Sequence, residues 1–188
     1  MGRQRHSQRG TSMVEVLVTL VVIAFGLLGM AGLQMRLQVS EVEAYQRSQA
    51  LLLLNDMASR IATNRTAATA GAYAVAAASP LGAGMSCPGG TSTQAQRDLR
   101  EWCQALQGAG ELLGSNNAGA MVGGRGCVEN VGGDIMVTVA WQGMTPISAP
   151  PASIGCGAGE YDGAAGSPCV NDLCRRTVTT LVRIATLL

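Results

Sequence analysis

The chain has 188 residues, 47% of them hydrophobic and only 13% charged, and its 13 Lys and Arg nearly balance 12 Asp and Glu to a formal net charge of +1. Bulk charge therefore selects neither an acidic nor a basic partner, and it says nothing about nucleic acid. A content of 25 Gly against a single Phe implies a loop-rich fold with a small aromatic core.

The N-terminus is a short basic leader, Arg3, Arg5 and Arg9, ending at Gly10. From Met13 to Leu33 the side chains are almost all apolar, long enough to cross a bilayer as a helix. Positive flanks stay cytoplasmic, so the rest of the chain is delivered outward. Glu15 does not fit this run. A carboxylate in mid-membrane costs on the order of 3 kcal/mol and needs a partner.

The stretch Arg9-Gly10-Thr11-Ser12-Met13-Val14-Glu15 and the apolar segment behind it resemble the class III signal of type IV prepilins. The string from Met13 to Val18 and from Phe25 to Gln34 is most similar to PilV-like minor pilins. The resemblance covers Arg9 to Gln34. It implies cutting by a prepilin peptidase between Gly10 and Thr11 and N-methylation of Thr11, although the family usually has phenylalanine there. It also implies an assembly role for Glu15, which would be fifth in the mature chain. The implied partners are that peptidase, other minor pilins, the major pilin and the inner membrane. The implied location is the inner membrane, single-pass with a cytoplasmic N-terminus before cleavage, and then a pilus fibre at the cell surface.

The chemistry of Glu15 leads the same way. A new amine after Gly10 lies about one helical turn from the carboxylate, on the same chain or on a neighbour. In hydrocarbon such a pair gains far more than in water, while each ion alone is heavily penalised. The plainer reading of Glu15 is a side chain at the headgroup edge that snorkels, and two other readings of the N-terminus are a secretory signal cut near Gly29-Met30-Ala31 and an uncleaved anchor. Glu15 and the length of the apolar run count against the secretory signal.

No proline precedes Pro80, and Ala50, Leu54, Met57 and Ile61 step by four, three and four. Glu43 and Arg47 form an i,i+4 pair in the favoured order. These features predict one helix over 11–64, about 80 Å long at 1.5 Å per residue. Its 11–33 part is the transmembrane and assembly half; its 50–61 stripe lies under a globular head, 65–188. Gly26, Gly29 and Gly32 permit close helix packing or local melting, and ordinary small-residue packing accounts for them equally well.

The segment 66–90 reads as a connecting loop with a short helical piece around 70–78. Thr93 and Gln96 make a capping box for a second helix over 93–107, with Gly108 placed to end it. Glu111 to Gly126 reads as loop. Ile135, Val137, Val139 and Trp141 alternate with less apolar residues, the signature of a strand with one face on a core. Gly132-Gly133 turns this strand back on 125–131 as a hairpin. Gln142 to Ser167 reads as a long loop, and 175–185 as a last strand with Val178, Val182 and Ile184 on one face. The predicted class is α+β: a long N-terminal helix packed on a small antiparallel sheet in a disulfide-stapled head, which is also what the pilin resemblance implies.

The six cysteines, Cys87, Cys103, Cys127, Cys156, Cys169 and Cys174, point to an oxidising compartment and a disulfide framework. Spacing does not choose among the pairings; the expectation adopted is Cys87 with Cys103, Cys156 with Cys169, and Cys127 with Cys174. No C-x-x-C occurs and the only histidine is His6, so no metal site, cofactor or catalytic residue is assigned, and an enzyme is not expected. The expected function is that of a minor pilin, initiating or incorporated into type IV pili for motility and attachment. The alternatives are a type II secretion minor pseudopilin and a membrane-tethered adhesive module that does not polymerise.

Overall fold

The computed structural model describes residues 12–110, 112–114, 116–117, 119 and 121–184. They fall into two compact units whose boundary, between Val42 and Glu43, lies inside helix α1 (Met13–Thr63).

In the first unit residues 12–38 are exposed throughout. Apolar side chains surround the helix here rather than forming a stripe, so no face is set aside for a protein core. This is a helix long and apolar enough to cross a membrane, with a window of mean hydropathy 2.6.

In the second unit α1 behaves as an ordinary amphipathic helix. It buries Gln46, Ala50, Leu54, Met57 and Ile61, so the predicted stripe lies in the core. A short α2 (Arg65–Thr69) follows, then β1 (Leu81–Gly82), α3 (Gln94–Leu106), β2 (Leu112–Leu113), β3 (Asn116–Asn117), β4 (Arg125–Val131), β5 (Asp134–Gln142) and β6 (Arg175–Val182). The main sheet is antiparallel in the order β1-β4-β5-β6, and β2 pairs with β3 apart from it. The α+β class with a long N-terminal helix, a small antiparallel sheet and three disulfides is therefore present.

Local chemistry explains the elements. The Thr93 hydroxyl accepts the Gln96 N–H, and the Gln96 side chain accepts the Thr93 N–H, so α3 begins with the expected capping box. It ends with Gly108 donating to the Ala105 carbonyl and Ala109 to that of Gln104, a Schellman pair. β4 and β5 are joined through Gly132 and Gly133, both at positive φ, which a two-residue hairpin with matching twist requires.

Ile135, Val137, Val139 and Trp141 point into the cluster formed with Leu54, Met57, Ile61, Trp102 and Leu106. Trp102 is fully buried and donates from its indole nitrogen to the Leu53 carbonyl at 2.9 Å, locking α3 to α1. A Cβ on Gly126 would overlap the Trp102 ring, so this close approach of β4 to α3 requires glycine.

The opposite sheet face is covered by irregular chain. Thr138 and Ala140 are fully buried, and the 154–157 segment runs against them. Arg175 holds that segment through the Ile154 and Cys156 carbonyls, while its own charge meets Asp172 at 3.2 Å. The turn before β6 places Asn171 and Asp172 in the left-handed region, where these two residue types are the most tolerant after glycine.

Four expectations need correction. The helical piece in the connecting segment is Arg65–Thr69, not 70–78; Val75 instead pairs with Val128 as a bridge beside β4. The 111–126 region contains the β2–β3 pair and the start of β4. Glu43 binds Arg176 at 3.4 Å and the Met144 N–H at 3.0 Å, tying the loop after β5 to α1, rather than pairing with Arg47.

The last correction concerns the staples: Cys87 joins Cys103 as expected, but Cys127 joins Cys156 and Cys169 joins Cys174. Across the sheet Cys127 faces Thr138 and then Thr179, two strands or about 10 Å away, and Cys174 lies five residues before Thr179 along the chain, so the two cysteines are beyond the reach of a disulfide.

By loop-closure entropy, removing Cys127–Cys156, Cys87–Cys103 or Cys169–Cys174, with separations of 29, 16 and 5 residues, should cost about 3.5, 3 and 2 kcal/mol respectively. Denaturant titration of the three double Cys→Ala variants checks this order, and a pair 169–174 variant as unstable as the 127–156 variant contradicts it.

Candidate functional site

Ser12 caps the start of α1. Its hydroxyl accepts the Val14 N–H at 3.2 Å, and its carbonyl accepts those of Glu15 at 2.9 Å and Val16 at 3.3 Å. Glu15 consequently occupies the first turn, where the free N–H groups and the helix dipole favour a carboxylate. Among the described residues it has no ion-pair partner. Gly10 and Thr11 lie outside the described residues. Farther along, the Thr19 hydroxyl donates to the Val16 carbonyl at 2.8 Å, so this polar group is satisfied within the helix. A Cβ at Gly26, Gly29 or Gly32 would meet nothing within 4 Å, so all three flanks are open to a neighbour.

The head holds a second concentration of polar groups, at the end of α1. Arg60 meets Asp56 at 2.9 Å, Asp98 at 3.0 Å and Glu101 at 2.7 Å. Asp98 is only 3% exposed and also accepts from the Tyr73 hydroxyl at 2.5 Å and the Gln94 amide at 2.8 Å. Asn64 donates to Tyr73 in turn, at 3.0 Å. Burial alone would raise the Asp98 pKa, but Tyr73, Gln94 and Arg60 outweigh it and hold the carboxyl below its usual range. Burial, helped by Asp98, pushes the Tyr73 hydroxyl up to about 12.

On the far side of the sheet, Arg125 sits 5.1 Å over the Tyr161 ring and meets Glu160 at 2.7 Å, while Tyr161 donates to the Gly123 carbonyl. Burial pushes Tyr161 up to about 12 despite Arg125. Among the described residues no group of three His, Cys, Asp or Glu is placed to hold a metal.

No family model, curated protein or solved structure matches this chain. The functional reading therefore rests on its own residues. The candidate site at Glu15 is local in the chain and readable as such. The Arg60 cluster is not, because only the Asp56–Arg60 spacing signals it and the decisive acid lies 38 residues away.

Asp98→Asn keeps the shape but removes the charge that Arg60 and Tyr73 meet, and should destabilise the head by about 2 kcal/mol at neutral pH. Because folding depresses this pKa, the contribution is present above about pH 4 and is lost as pH falls through the folded value. Denaturation curves of the two proteins should converge in acid; a gap that persists unchanged contradicts the assignment.

Proposed function

We propose that the chain is a minor pilin of the PilV-like kind, made as a single-pass inner-membrane precursor, trimmed after Gly10 and methylated on Thr11. From there it initiates, or is built into, a type IV pilus. One observation carries the reading: an acid in the first turn of a helix whose following residues are apolar and exposed on every side. A plain anchor needs the apolar residues and is harmed by the acid. A subunit that packs against sister helices uses the acid, because a neighbour's N-terminal amine can neutralise it only in one register.

Assembly would then proceed by exchange of surroundings. In the membrane, lipid covers residues 13–33; in a fibre, the helices of other minor pilins and the major pilin replace it. The Thr11 amine of one subunit pairs with Glu15 of the next, and both ions leave water together. The disulfide-stapled head supports this reading because it suits the oxidising side of the membrane. Prepilin peptidase is the processing partner, and no cofactor or catalytic residue enters.

Glu15→Ala should leave the head folded and membrane-bound but remove the protein from sheared fibres by at least about tenfold, the loss of one buried ion pair. Full recovery of the variant in the sheared fraction overturns the role given to Glu15. Normal adhesion by cells that carry the variant only in the membrane favours the tethered module.

A further inference from the structure

An open cavity lies between α2, with the residues just behind it, and the joined ends of β4 and β5. Its walls include Ala68, Tyr73, Val128 and Ile135, all buried, with Thr69 and Asn130 at the exposed rim. Tyr73 turns its hydroxyl to Asp98 and Asn64, so what it offers the cavity is apolar. The space is about 320 Å³ with its mouth included, at the lower end of ligand pockets, and suits one or two aliphatic side chains rather than a cofactor.

The chain continues past Ile184 with Ala185, Thr186, Leu187 and Leu188, which lie outside the described residues. None of the four is charged. Ile184 itself packs against the core cluster, so the chain leaves β6 on the inner side of the sheet, where the cavity also lies. Val182 is opposite Ile135, and Ile135 opposite Asn130, so the way from β6 to the β4 wall crosses two strand spacings, about 10 Å. Four residues span up to ~14 Å when extended. α2 links the two places: Arg65 lines a cleft with Ile184, and Ala68, about 5 Å farther along the helix, lines the cavity.

We propose that residues 185–188 turn back across the end of the sheet and seat Leu187 and Leu188 in this cavity. Removal of both leucines from water drives the docking. The short tether decides the occupant. It holds the leucines beside the cavity at an effective concentration on the order of 1 mM, which a second copy of the chain does not match in dilute solution. This inference concerns the head alone and stands whether or not the chain enters a fibre.

The test uses the full-length protein in detergent micelles, with the methyl groups of alanine, valine, leucine and isoleucine labelled. Cross-relaxation should connect the Leu187 or Leu188 methyls to those of Ala68, Val128 and Ile135, and tenfold dilution should leave it unchanged. Replacing both leucines (Leu187→Asp with Leu188→Asp) should shift the Ala68 and Val128 methyl signals and speed amide exchange over residues 68–74 at least about threefold. Ala74→Glu, at an exposed position on the rim, should break the same contacts. Should the aspartate variant fail to fold, Ala74→Glu decides alone. Cavity methyl signals indifferent to these substitutions overturn the proposal. So do cross-peaks from detergent in place of the leucines, or contacts that fade on dilution, which assign the cavity to a second copy.

Discussion

Residues 13–33 of α1 carry apolar side chains around the whole circumference and bury none of them within their own unit. Exposed apolar area costs about 25 cal/mol per Å², so this segment cannot remain in water alone. Its length and composition are compatible with cover by lipid, and the proposed fibre would cover it with other helices. That demand makes Glu15 informative, because either cover excludes water from a carboxylate in the first helical turn. The proposed amine partner resolves the conflict between helix and acid, and it also converts a penalty into registration between subunits.

The head obeys a different constraint. The one Phe, Phe25, lies in the apolar half of α1, so the head builds its interior on Trp102, Trp141, Tyr73 and Tyr161 and supplements them with staples. Cys87–Cys103 fixes the connecting segment to α3 next to Trp102. Cys127–Cys156 holds irregular chain against the outer face of β4 and β5, over Thr138 and Ala140. Arg175 reinforces the same cover from below, reaching carbonyls that lack a strand partner. Oxidised cysteines and a buried arginine thus do for the outer face what the apolar α1 stripe does for the inner one.

Much of this was legible because it is local or periodic. The stripe at Ala50, Leu54, Met57 and Ile61, the Thr93–Gln96 box, the Gly132-Gly133 hairpin and the alternation along 135–141 each declare themselves within a few residues. Cys87–Cys103 was also short-range. The other two disulfides depended on strand order and register, which no spacing encodes: β5 lies between β4 and β6, and Thr179 rather than Cys174 is the β6 residue opposite Cys127. Glu43 illustrates the same limit. Its sequence neighbour Arg47 offered a few tenths of a kcal/mol on an exposed face, whereas Arg176 and the Met144 N–H bring two contacts from over a hundred residues away. At Glu15 the type and position of the residue were readable; its partner on another chain is beyond what one chain can display.

The proposed function requires a mature chain that begins at Thr11, four residues ahead of Glu15. Intact-mass and N-terminal fragment analysis of the protein recovered from native membranes tests it most directly. The expected first residue is Thr11 bearing one methyl group on its amine. A chain beginning at Met1, or one cut after Ala31, contradicts it.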